Sequence, residues 1–183
     1  MRRRPAHLAR WSALLVGAVG ILLVAVLATR QPASLVLADS PLLGRPAPAI
    51  DATSFSGRQV RLSSMRGRFV LVNFFAPWCL QCQEEAPQLE AFLYTRPGGA
   101  LTGVLGVLYG DTLADGKAFQ SAEGATWPSV VDPAGMIASR YGVGSLPRSF
   151  LVDPSGRIVE CIVGAVTAAE LDHLVLRQLR NRA

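Results

Sequence analysis

The chain has 183 residues, half of them hydrophobic, with 18 basic side chains against 13 acidic ones and three cysteines. Its net charge of +5 is local: Arg2, Arg3, Arg4, Arg10 and Arg30 supply all of it, and no acid precedes Arg30. Removing those five leaves 13 basic against 13 acidic residues from Gln31 onward, a neutral body without the basic footprint that nucleic-acid binding requires.

In chain order, the basic residues 1–10 lead into 11–29, which carry no charge. As a helix at ~1.5 Å per residue, that stretch spans roughly 28 Å, close to the ~30 Å of a bilayer's hydrocarbon core. The arginines in front of it predict a cytoplasmic N-terminus, a single transmembrane anchor over 11–29 and a domain facing the periplasm or the extracellular side. A cleaved signal peptide is the competing reading, with Val26-Leu27-Ala28 or Val36-Leu37-Ala38 as its cleavage site. The apolar run is longer than the ~7–15 residues usual for such peptides, which favours the anchor. Residues 30–40 read as a linker. It belongs to a Pro-rich spacer that reaches Pro48. The remaining 41–183 make one domain of ordinary size.

Within the domain, RFVLVNFFA (68–76) is a nearly continuous run of β-formers, the pattern of a strand buried on both faces. After two cysteines, residues 83–94 have helical spacing, with Ala86, Leu89, Phe92 and Leu93 on one stripe and a kink expected at Pro87. A second buried strand is predicted over 100–110. Helices follow over Asp111–Glu123 and, shorter, over Ala134–Tyr141. RSFLVD (148–153), an Asp-Pro-Ser-Gly turn and RIVECIVG (157–164) predict a β-hairpin. Thr167 and Glu170 form a capping-box pair that opens a last amphipathic helix to about Arg180. This order implies an α/β fold with a mixed central sheet flanked by helices.

FFAPWCLQC (74–82) carries the chemistry. A structural disulfide between Cys79 and Cys82 would close a very small loop, and the entropic gain of a crosslink shrinks with its loop. A closed zinc site needs four ligands, and Cys161, His7 and His173 do not supply the other two at motif spacing, so no metal is expected. Redox chemistry suits the context best. A strand handing over to a helix leaves Cys79 near a helix N-terminus, where unpaired N–H groups and the dipole favour the thiolate. Cys82, one turn further in, is shielded and placed to resolve a mixed disulfide. The redox-active pair itself then serves in place of any other cofactor.

FFAPWCLQC with Pro87, and GSLPRSFLVDPSGRIV (144–159), resemble the thioredoxin fold. Together with LLGRPAPAIDATSFSGRQVRLSSMRGRFVLVNFF (42–75) and the central insert from Gly106 onward, they resemble the membrane-anchored TlpA/ResA and CcmG/DsbE branch of thiol–disulfide oxidoreductases. The resemblance covers essentially all of 41–183. It implies that Cys79 attacks and Cys82 resolves, and that Pro147 is a cis-proline facing the pair. It further implies that the backbone of Leu146 hydrogen-bonds an extended substrate and that Glu85 tunes the cysteines' proton chemistry. For Glu85 a plain helix carboxylate complementing the dipole is an equal reading. Trp78 either lines the substrate groove, which the motif favours, or caps the core. Leu80-Gln81 between the cysteines and Arg148 after the proline depart from the branch's usual residues, so neither potential nor subgroup carries over.

The implied task is cytochrome c-type biogenesis: keeping cysteines of exported proteins reduced, in particular the haem-attachment pair of apocytochrome c, with electrons from a membrane donor of the thiol-relay type. An oxidase or isomerase that forms disulfides in secreted proteins, or a non-catalytic binding module, are the alternatives. Cys161 is expected as a buried small hydrophobe sharing a strand face with Val159 and Val163, although an odd cysteine could pair between chains. His173 is expected at the surface.

Overall fold

A computed structural model describes residues 16–22, 36–95 and 97–181. Residues 16–22 are helical, but most of the expected 11–29 anchor lies outside the described residues. Among the described residues no helix is long and apolar enough to cross a membrane.

The compact unit that begins at Leu35 is organised by β4 (Phe69–Phe75), the predicted buried run. Its side chains alternate: Phe69, Leu71 and Phe75 enter one hydrophobic cluster, and Val70, Val72 and Phe74 the other. A strand with apolar residues at both parities must be covered on both faces, which explains why helices lie on each side. β4 pairs in parallel with β5 (Thr102–Tyr109), and β5 with β6 (Ser129–Asp132). On its other side β4 pairs antiparallel with β7 (Arg148–Val152), and β7 with β8 (Ile158–Val163). The sheet is therefore mixed, as the sequence implies, with the hairpin where Asp153–Gly156 predicts it.

One face is covered by α1 (Leu80–Tyr94), α2 (Leu113–Ala122) and α4 (Ala168–Arg180). Leu89 and Phe92 of α1, Phe119 of α2, and Leu171, Leu174 and Val175 of α4 share the first cluster. Pro87 lies inside α1, which runs unbroken from Leu80 to Tyr94. The capping box forms as expected, with Thr167 and Glu170 each satisfying the other's backbone N–H at the start of α4. The opposite face is covered by the short α3 (Met136–Tyr141), bounded by Gly135 and Gly142, both left-handed at φ 66° and 65°. Tyr141 of α3 packs tilted against Phe74 and edge-on against Phe150, with centroids 5.2 and 5.1 Å away.

Three features differ from expectation. Val36–Leu37, assigned to the linker, form an edge strand β1 that pairs antiparallel with β8 at Val163 and Ile162. The spacer continues along the sheet edge: Ala38 N–H donates to the Cys161 carbonyl, Gly44 N–H to that of Ile158, and Tyr141 Oη–H to that of Pro48. A stretch without helical period can still lend backbone donors to an open sheet edge. A small second sheet, β2 (Asp51–Thr53) with β3 (Gln59–Arg61), precedes β4, and its three-residue strands leave too short a period to read. Cys161 does not share a face with Val159. The β7–β8 register slips, so that Leu151 faces Glu160 while Val152 faces Ile158. The bulge skips Val159, and Cys161 joins Ile158 in the second cluster while Val159 packs on the first. As expected, Cys161 is buried as a free thiol and His173 is exposed.

Candidate active site

The chain leaves β4 at Phe75, and four residues later Cys79 takes the N-cap of α1 with extended backbone angles. Its Sγ accepts the N–H of Cys82 at 3.3 Å, the contact that a capping oxygen usually makes. A sulfur held at a helix N-terminus and facing unpaired N–H groups is placed where a thiolate is favoured. Cys79 and Cys82 are joined in a disulfide with their Cα atoms 5.2 Å apart. Exposure falls steeply along this turn: Trp78 is 68% exposed, Cys79 8% and Cys82 2%. Leu80 is as open as Trp78. Trp78 therefore does not cap the core, and the two side chains stand free on either side of Cys79.

Glu85 lies one turn beyond Cys82 on the same helix face and is buried. The first turn of α1 contains no acid, so Glu85 is too deep in the helix to be an ordinary dipole-complementing carboxylate. Both of its oxygens are held. Asn73 Nδ2 donates to Oε2 at 2.8 Å, and the Val166 N–H donates to Oε1 at 3.1 Å. Burial pushes the carboxyl up to about 8, with these two donors pulling the other way. The group is then protonated through the neutral range and close to a thiol in proton affinity.

The Leu146–Pro147 bond is cis, and Pro147 is buried with its carbonyl accepting from the Gly164 N–H at 3.0 Å. Leu146 packs against the cluster that contains Cys79 and Cys82. Its own backbone N–H and C=O take no partner among the described residues, so both remain available. Arg148 points to the opposite sheet face, its guanidinium 5.8 Å from the Phe150 ring. Beside it, burial raises the Cys161 thiol above its ordinary value while Arg148 opposes the shift. Cys161 thus lies on the other side of the sheet from the cysteine pair. Among the described residues no group of three or more His, Cys, Asp or Glu side chains gathers as a metal site would.

Asn73 and Ser149 were not singled out from sequence, yet both belong to this site. The signal for Asn73 was present: it is the one polar residue in FVLVNFF, a strand buried at every position. A lone amide in such a run needs buried partners.

The AhpC/TSA family profile matches residues 43–161. The thiol–disulfide oxidoreductase ResA of Geobacillus thermodenitrificans is 31% identical over 160 residues, 86% of each chain. A thiol:disulfide interchange protein of Chlorobium tepidum superposes with a TM-score of 0.64 at 26% identity, covering 77% of this chain and 98% of that one. A secreted Mycobacterium tuberculosis disulfide oxidoreductase described as homologous to Escherichia coli DsbE gives a TM-score of 0.60 at 25% identity over 69% of this chain and 93% of the other. A cysteine pair capping a helix on a thioredoxin-like sheet, matched across this length, places the chain in the AhpC/TSA family as a thiol–disulfide oxidoreductase of the ResA and DsbE type.

Proposed function

We propose that the protein acts outside the cytoplasm as a reductant of cysteines in exported proteins, with the haem-attachment pair of apocytochrome c as its substrate. The observation that carries the reading is the buried Glu85 carboxyl one helical turn below Cys82. The Cys79 thiolate attacks a substrate disulfide, forming a mixed disulfide and releasing one substrate thiolate, which takes a proton from water. Cys82 then gives its proton to the fraction of Glu85 that is ionised, which grows as pH approaches about 8, and attacks the Cys79 sulfur. The bond to substrate breaks, the second substrate thiolate leaves and is protonated, and the Cys79–Cys82 disulfide remains. A carboxyl raised to about 8 lies far closer to the thiol range than an ordinary carboxylate does, which suits it to accept a thiol proton.

In this reading the exposed Trp78 and Leu80 face the partner, and the free backbone of Leu146 pairs with an extended segment of it. Backbone pairing tolerates differing sequences around the target cysteines. A membrane dithiol donor of the thiol-relay type returns two electrons to the pair. The uncharged run over 11–29 behind four arginines supports a membrane anchor with the domain on the far side. Equilibrating the Cys79–Cys82 couple with dithiothreitol tests the direction of the reaction. A potential near the thioredoxin value of about −270 mV is expected, and one near the DsbA value of about −120 mV would make the protein an oxidase.

A further inference from the structure

Asn73 and Ser149 face each other across β4 and β7 in register, and both side chains are buried. Asn73 lies on the strand face shared by Phe69, Leu71 and Phe75, which is the face under α1. Its Nδ2 stands 2.8 Å from Glu85 Oε2 and 3.0 Å from Ser149 Oγ. An amide nitrogen has two N–H groups, and both are used here. Turning the amide over would aim its carbonyl oxygen at the ionised form of the carboxyl, acceptor against acceptor. Ser149 Oγ, by accepting the second N–H, rewards the orientation that keeps Nδ2 toward Glu85. The acid is thereby tied to a strand residue two positions beyond Pro147.

We propose that Asn73 is a positioning residue for the Glu85 carboxyl and that Ser149, acting only through Asn73, selects the amide edge that faces it. The inference rests on the reading of Glu85 as the proton acceptor for Cys82. Cys82 precedes the carboxyl by one turn of its own helix; bound to it are Asn73 from β4, with Ser149 of β7 behind, and the Val166 N–H from the segment entering α4. No charged side chain among the described residues contributes to its shift; burial raises it, and the Asn73 and Val166 donors lower it. Removing a donor to the ionised form must therefore strengthen proton binding. A residue needed only for packing would change stability and leave the titration where it was.

The test is a titration of the full-length protein labelled at glutamate carboxyl carbons, followed by carbon NMR in the disulfide form, with Glu85→Gln assigning the resonance. Asn73→Ala is expected to raise the Glu85 midpoint by about one pH unit, roughly tenfold in proton affinity. Ser149→Ala is expected to raise it by about half as much, and the double variant to match Asn73→Ala alone. Ser149→Ala deletes a single oxygen and keeps the question open to measurement if Asn73→Ala does not fold. An unmoved midpoint in a folded variant, or shifts that add in the double variant, would overturn the proposal. The pH profile of Cys79 alkylation in the reduced protein separates the two levels. If Glu85→Gln leaves that profile unchanged while the NMR midpoints shift as expected, the positioning stands and the proton-acceptor reading fails.

Discussion

Glu85→Gln should remove most of the pH dependence of stability between pH 5 and 8, and the sign follows from the direction of its shift. The carboxyl titrates at 4.5 when solvated and at about 8 in the folded chain. Between those values the native state holds a proton that the unfolded state has lost. Stability is then complete below about 4.5, falls as pH rises, and levels off above about 8. At ~1.36 kcal/mol per unit, this interval corresponds to a loss of order 5 kcal/mol, comparable with the whole stability of a small domain. The other shifted groups stay out of the window: Asp51 is lowered, whereas Cys161 and Tyr141 are raised from already high values. Gln keeps the shape and never ionises. One oxygen can still accept from Val166, and Asn73 can turn its carbonyl toward the new amide. Urea unfolding of the disulfide-bonded protein from pH 5 to 9, at constant ionic strength, reads the effect directly. The wild type should lose several kcal/mol over the range and the variant little, so that the variant is the more stable at pH 9. Parallel stability curves for the two would refute the reasoning that Glu85 enters the fold protonated.

Cys82→Ser should accumulate mixed disulfides with exported proteins on non-reducing gels, whereas Cys79→Ser should trap few; equal trapping by both would remove the assignment of attacking and resolving thiols. Gly106→Ala should destabilise by about 1–3 kcal/mol in chemical denaturation, because its Cβ would lie 2.2 Å from Ser129 Oγ and 3.0 Å from the Phe75 ring. No change would mean that β5 and β6 can separate there. A periplasm-specific reporter fused after Ala183 should be active, and activity confined to a cytoplasm-specific reporter would contradict the proposed topology.

How far the sequence could be read depended on the range of each signal. β4 was legible because its burial on both faces is written into seven consecutive residues. The start of α4 was legible because the capping box spans only Thr167 to Glu170. The β7–β8 hairpin announced itself by its turn, but the bulge inside it did not. Alternation counts residues, and a skipped Val159 changes the parity of Cys161 without altering the composition of the strand. β1 escaped because its two residues owe their conformation to β8, more than a hundred positions away, rather than to any local preference.

The site divides in the same way, and the division has a chemical consequence. The cysteines, Pro147 and Glu85 sit in local motifs, whereas the contacts that hold Glu85 arrive from separations of 12 and 81 residues. Those contacts act on protonation rather than on nucleophilicity. The Cys79 sulfur draws on the α1 N-terminus, a property of the local turn, and meets its partner beside the exposed Trp78 and Leu80. Cys82 lies under that turn in the first cluster, and Glu85 is held there by Asn73 of β4 and the Val166 N–H before α4, so the acidity of the carboxyl depends on how the strands and the last helix pack. A change in the Leu80-Gln81 dipeptide would act on the attacking sulfur through the helix end. Changes at Asn73 or Ser149, or a shift of the segment that carries the Val166 N–H, would act on the resolving step through the carboxyl. The tertiary fold is therefore the means by which one short motif can keep its attacking thiol and still have its return proton set independently.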